Sequence, residues 1–190
     1  MQIYTHLDSL PCFRNPVVAV GSFDGVHLGH QRVFDYVKAQ AARLDGESVV
    51  VTFDPHPQEV LHPDSDFFRI NTMEENAEMI AEAGIDVLIV LTFTREFSQM
   101  TFAQFITLLS EKIGAKAIVM GPNHNFGKNR EGNCKTIEKI CAKFGIGIIL
   151  IPELMMEENK IRSSKIREHI KNQNFKEAEK LLGHPMKKNQ

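Results

Sequence analysis

The 190 residues suit a single domain, and with 43% hydrophobic and 24% charged residues the chain can bury a core without disulfides or a structural metal. A formal net charge of −2 gives no reason to expect nucleic-acid binding, no apolar run is long enough to span a membrane, and the start, Met1 to His6, lacks the basic-then-apolar pattern of a signal peptide. Cys12, Cys134 and Cys141 form no C-x-x-C pair and read as reduced thiols of a cytoplasmic protein.

In chain order, five apolar runs of strand length are predicted: Val17–Gly21, Ser48–Phe53, Asp86–Leu91, Ala115–Gly121 and Ile146–Ile151. They are rich in Val and Ile and nearly continuous, as strands buried on both faces are. Helical stripes lie between them. Val33, Phe34, Val37, Ala41 and Leu44 form the first, Phe102, Phe105, Ile106, Leu109 and Ile113 the second, and Cys134, Ile137, Cys141 and Phe144 the third. Thr72-x-x-Glu75 and Thr101-x-x-Gln104 are predicted capping boxes. After the last strand come two short helices, Ser163–Asn172 and Phe175–Leu182, the second ending at Gly183. Repeated strand–helix–strand order predicts a doubly wound, mainly parallel five-stranded sheet with a short C-terminal helical segment, one domain over residues 1–190. Ligands of such sheets bind beyond the carboxyl ends of the strands.

The first such end is Gly21-Ser22-Phe23-Asp24-Gly25-Val26-His27-Leu28-Gly29-His30. Glycines permit a tight turn, and a helix starting near Leu28 points free N–H groups and its positive dipole end at whatever sits above. His27 and His30, three apart, share that side, and Gly29 leaves room for a flat ring to pack on the backbone. The result is a cradle for a polyanion. Two plainer possibilities remain: histidines that only cap the helix, and a D-x-x-H-x-x-H metal site of Asp24, His27 and His30. The segment Gly121–Lys128 is not a P-loop, since it has one residue too many between its glycines and Asn129 where a Ser or Thr should stand. From Lys160 onward Lys and Arg outnumber Glu, a basic end that suits a compact polyanion such as a triphosphate.

Three further loops carry chemistry: Thr52-Phe53-Asp54-Pro55-His56-Pro57, Gly121-Pro-Asn123-His124-Asn125-Phe126-Gly127 through Gly132, and Lys160-Ile161-Arg162-Ser163-Ser164-Lys165-Ile166-Arg167, followed by Leu181-Leu182-Gly183-His184-Pro185. The His27-x-Gly29-His30 element resembles the H-x-G-H signature of the nucleotidyltransferase superfamily. The whole set, in order from about Val17 to Pro185, resembles the adenylyltransferase module of the bacterial FAD synthetases, the bifunctional riboflavin kinase/FMN adenylyltransferase family. That family shows G-x-F-D-G-V-H-x-G-H, T-F-[DE]-P-H-P, G-x-[DN]-F-x-F-G-x-x-R-x-G, [IV]-S-S-T-x-I-R and L-L-G-x-P. Here Arg162 and Ser164 stand for its first Ser and its Thr, and His124 and Asn125 depart in the third motif.

The resemblance implies a Rossmann-like fold and an FMN adenylyltransferase that makes FAD and pyrophosphate from FMN and Mg-ATP. It implies His27, His30, Ser163 and Arg167 as catalytic residues, and Gly21, Ser22, Phe23, Asp24, Gly29, Asn123, Arg162 and Ser164 at the ATP. Phe53, His56, Pro57 and Phe126 would meet the flavin, with Asn123 on magnesium. The family's riboflavin kinase domain is expected to be absent, so a separate kinase would supply FMN; no nucleic acid or membrane partner is expected. Two other functions stay open: a nucleotidyltransferase for another phosphate acceptor, such as phosphopantetheine, and a non-catalytic nucleotide- or flavin-binding regulator.

Overall fold

The computed structural model describes residues 1–121, 134–151, 155–156 and 159–186. Asn123, His124, Asn125 and Phe126 lie outside the described residues.

Six parallel strands form one sheet: β1 (Gln2–Tyr4), β2 (Val17–Val20), β3 (Ser48–Asp54), β4 (Val87–Thr92), β5 (Ala117–Met120) and β6 (Gly147–Leu150). Their order is β1-β4-β3-β2-β5-β6. The expectation of five strands is corrected by β1. Three residues at a sheet edge bury no apolar run, and Ile3 is 54% exposed, so no hydrophobic pattern announces the strand. The chain steps from β2 outward to β3 and β4, then returns to the other side of β2 for β5 and β6. That reversal puts a crevice at the carboxyl ends of β2 and β5, where ligands of open α/β sheets bind.

Strand side chains alternate between two layers. Val18, Val20, Val49 and Val51 pack under α5 (Phe102–Leu108), the π-helical turn Leu109–Ile113 that extends it, and α6 (Cys134–Lys143), through Phe105, Leu109 and Cys141. Val17, Ala19, Val50 and Leu88 face the opposite way, onto α1 (Leu28–Arg43) and α3 (Met73–Glu82), through Phe34, Val37 and Ile80. Of the predicted stripes, Leu44 and Phe144 are 37% and 38% exposed, because each falls just past the end of its helix. Both capping boxes are present: Thr72 and Glu75 exchange bonds at α3, Thr101 and Gln104 at α5.

A third, smaller cluster sits apart from the two layers. Ile161, Ile166, Ala178, Leu181 and Leu182 bring α7 (Ser163–Lys171) and α8 (Phe175–Leu182) against Ile70 and Leu28. It docks the C-terminal helices onto the start of α1, and so places the start of α7 beside the loop that follows β2. No helix of the described residues is long and apolar enough to cross a membrane.

Candidate active site

The loop after β2 is tightly wound. Phe23, Gly25 and Val26 have φ of +47°, +78° and +37°. Left-handed backbone at an aromatic and a β-branched residue is strained, and such strain collects at functional sites. The Val26 amide closes the turn on the Phe23 carbonyl at 3.1 Å, and Thr52 Oγ1 donates to the Ser22 carbonyl at 3.1 Å. Phe23 folds back under Gly21, where a Cβ would stand 3.0 Å from its ring. Its side chain is 3% exposed and meets His30 edge-on, so only its backbone faces the crevice.

His27 caps α1. Its Nδ1 shares the His30 amide, at 3.3 Å, with the His27 carbonyl at 2.7 Å. Accepting at Nδ1 requires the proton on Nε2, which leaves Nε2–H as a donor. Burial pushes the His27 imidazole down to about 4, so it is neutral at pH 7. The ring lies over Gly29, whose added Cβ would come 3.0 Å from His27 Cε1, and it stacks on His30 with centroids 3.5 Å apart. The space that a side chain at position 29 would take is therefore occupied by the protein's own imidazole.

Asp24 turns inward. Its carboxylate accepts from the Ile70 amide at 3.0 and 3.1 Å, from the Asn71 amide at 3.1 Å and from Arg167 Nη2 at 2.5 Å. The Arg167 Nε donates to the Phe68 carbonyl at 2.8 Å, and the guanidinium carbon lies 4.4 Å from the Phe67 ring centroid. Phe67 also stacks on His56, centroids 4.5 Å apart. Asp24 thus braces Arg167 rather than facing a nucleotide. It does not join His27 and His30 in a metal cage; among the described residues no group of three or more His, Cys, Asp or Glu could hold an ion.

Asp54 to Pro57 turn the chain from β3 into α2 (Pro57–Leu61). His56 caps that helix, its Nδ1 accepting from the Gln58 amide at 3.1 Å, and burial lowers its imidazole to about 4 as well. Pro57 occupies the first helical position and is half-buried. Arg69 holds the turn from outside, pairing with Glu59 at 2.6 Å and Asp54 at 2.8 Å, and it keeps the Glu59 carboxyl below the usual range. Phe53 packs on Phe93 and Phe97 in the core at 6% exposure and presents no open face.

The α7 start completes the site. Arg162 is exposed at the N-cap and makes no side-chain cap bond, so the first α7 amides carry their dipole unmasked by a capping side chain. Ser163 Oγ donates to the Asp24 carbonyl at 3.4 Å, and the Ile161 carbonyl lies 3.7 Å from where a Gly29 Cβ would be. Ser164 is exposed beside it. The structure thereby brings together Gly21, Ser22, Asp24, His27, Gly29, His30, Ser163 and Arg167. Sequence reasoning passed over Phe67, Phe68, Arg69 and Asn76. The signal for the first three was an aromatic–aromatic–cation run in a loop without helical or strand period.

A parallel α/β sheet with a strained loop and two helix starts at its reversal point defines a nucleotide-type binding fold. The sequence profile of the FAD synthetase family matches residues 10–165, and the chain belongs to that family. It is 32% identical over 174 residues to a FAD synthetase of Listeria monocytogenes, covering 90% of this chain and 70% of that protein. It is 33% identical over 170 residues to a bifunctional riboflavin kinase/FMN adenylyltransferase of Buchnera aphidicola, covering 89% of this chain and 54% of the relative. A Listeria monocytogenes protein of the same bifunctional description is 34% identical over 172 residues, again with 54% of its length covered. The chain thus spans about half the length of those bifunctional relatives. Among solved structures, a Streptococcus pneumoniae protein described as a macrolide-efflux protein superposes with a TM-score of 0.85 at 30% identity, over 97% of this chain and 62% of its own.

Proposed function

We propose that the chain is an FMN adenylyltransferase, joining FMN to the AMP half of ATP to form FAD. One observation carries the proposal: the start of α7 lies against the start of α1, the Ile161 carbonyl 3.7 Å from where a Gly29 Cβ would be, and Ser163 ties it to the Asp24 carbonyl of the loop leading into α1, which the neutral His27 caps. Two helix N-termini with their leftover amides, an Nε2–H donor and the exposed Arg162 and Ser164 suit a triphosphate and the charge that moves along it during transfer.

In the reaction an FMN phosphate oxygen attacks the α-phosphorus of ATP. The bond from that phosphorus to the bridging oxygen of the β-phosphate breaks, and pyrophosphate leaves with the bonding electrons. No side chain needs to become a nucleophile; the protein's work is alignment and charge stabilisation. His27 and His30 donate toward the α- and β-phosphates, and the α7 start with Ser163 and Ser164 holds the β- and γ-phosphates. Arg167 carries its cation up to this point on the Asp24 brace and lends charge rather than a free fork. His56 and Pro57 form the described part of the FMN side; Phe126 is assigned to it from outside the described residues.

Magnesium would offset the negative charge of the triphosphate as pyrophosphate leaves. Asp24 is committed to Arg167 and two amides, so Asn123, outside the described residues, is the residue that would hold the ion. ATP as substrate places the reaction in the cytoplasm, with riboflavin phosphorylated by a kinase activity to supply FMN. Incubating the protein with FMN and Mg-ATP should yield FAD and pyrophosphate in equal amounts by chromatography; binding of both without pyrophosphate release would make it a regulator instead.

A further inference from the structure

The C-terminal turn is stitched to the back of the strained loop. Helix α8 ends at Gly183, φ +79°, where an added Cβ would come 2.3 Å from Leu28 Cδ2 at the first position of α1. Gln31 Nε2 bridges the two segments, donating to the Val26 carbonyl at 3.0 Å and the Leu182 carbonyl at 3.3 Å. Beyond Gly183, His184 Nε2 sits 2.9 Å from the Gly25 carbonyl oxygen, across 159 residues of sequence. Its Nδ1 lies 2.9 Å from the Pro185 carbonyl, and Met186 is tied back by its amide to Glu179 at 2.9 Å.

The Gly25 peptide is thus held from both sides: its N–H donates to the buried Asn76 Oδ1 at 3.0 Å, and its carbonyl faces His184. Gly25 stands between Asp24, which fixes Arg167, and Val26, whose left-handed backbone leads into His27. A left-handed turn of this kind relaxes unless neighbouring groups over-determine it. Asn76 is on α3, whereas His184 reaches in from the last described turn.

We infer that His184 is a positioning residue for the proposed adenylyl transfer, orienting through the Gly25 carbonyl the turn that presents His27 to ATP. The inference rests on the function proposed above. His184 touches no substrate; with the proton on Nε2 it donates to the Gly25 carbonyl and so holds the loop's exit into α1, while Nδ1, then without a proton, makes no hydrogen bond to the Pro185 carbonyl.

The test compares wild type with His184→Ala and His184→Gln, the Gln amide N–H being able to reach the same carbonyl. Each is assayed for FAD formation well below its own melting temperature, varying ATP and FMN separately. Loss of one orienting hydrogen bond should lower kcat/KM for ATP about tenfold in the Ala variant. KM for FMN should stay within about twofold, and Gln should recover most of the loss. An Ala variant that melts earlier but is kinetically like wild type would make His184 a mere anchor and overturn the inference. A Gln variant as poor as Ala would overturn the donor role. Wild type that forms no FAD sinks the function itself, and the inference with it, an outcome distinct from equal rates in all three proteins.

Discussion

Arg167 and Asp24 form a sequestered ion pair: Nη2 and Oδ2 are 2.5 Å apart, with side-chain exposures of 15% and 3%. The pair joins α7 to the loop after β2, and the Ile70 and Asn71 amides complete the carboxylate's shell. Removing one member of a buried, hydrogen-bonded pair costs far more than the pair itself is worth. Asp24→Asn should therefore lower unfolding free energy by about 3 kcal/mol in urea titration. A double-mutant cycle with Arg167→Ala should give a coupling of roughly 1 kcal/mol or more. Additive effects would mean that the two side chains act separately.

Arg167→Ala should also raise the ATP requirement, seen as an increase in KM for ATP with a smaller change for FMN. The guanidinium braces the start of α7 as well as lending charge, so both routes act on the triphosphate side. An unchanged ATP dependence would remove Arg167 from the site.

His30→Ala should reduce turnover by about a hundredfold, the usual cost of deleting a donor aimed at developing charge. Near-normal FAD formation by that variant would take His30 out of the chemistry. Gly29→Ala probes the other ring. Its Cβ would press on His27 Cε1 at 3.0 Å, so the imidazole must shift and its Nε2–H with it. Turnover should fall with little change in melting temperature, a split that a purely structural glycine would not show.

The two buried histidines predict a pH dependence of stability. His27 and His56 are each lowered from 6.5 to about 4 by burial, so between these values the unfolded chain binds more protons than the folded one. Their contribution is complete above about 6.5 and is lost as pH falls toward 4. Thermal unfolding should shift to lower temperature across that window, and His56→Gln should make the shift shallower. Identical pH curves for the two proteins would contradict the burial argument. The activity should show no acid limb near 6.5 from His27, which stays neutral there.

Much of this site could be read from the sequence because its parts are local. The apolar run Val17–Val20, the capping boxes at Thr72 and Thr101 and the pattern from His27 to His30 each depend on neighbours within a turn. What escaped depends on distance or on the lack of a pattern. Asp24 looks like a nucleotide ligand until its partner Arg167, 143 residues away, is in place. Phe53, at a strand end, carries the same apolar signal whether it lines a slot or fills the core, and here it fills the core. Edge strand β1 buries nothing that a hydrophobic pattern could mark. Phe67, stacked against both His56 and Arg167, lies in a loop whose order comes only from those contacts.

A crystal structure with ATP bound tests the central claim most directly. The triphosphate should lie within hydrogen-bonding distance of His27 Nε2 and of the first amides of α7, at Ser163 and Ser164. Phosphates bound away from the meeting point of α1 and α7 would contradict it.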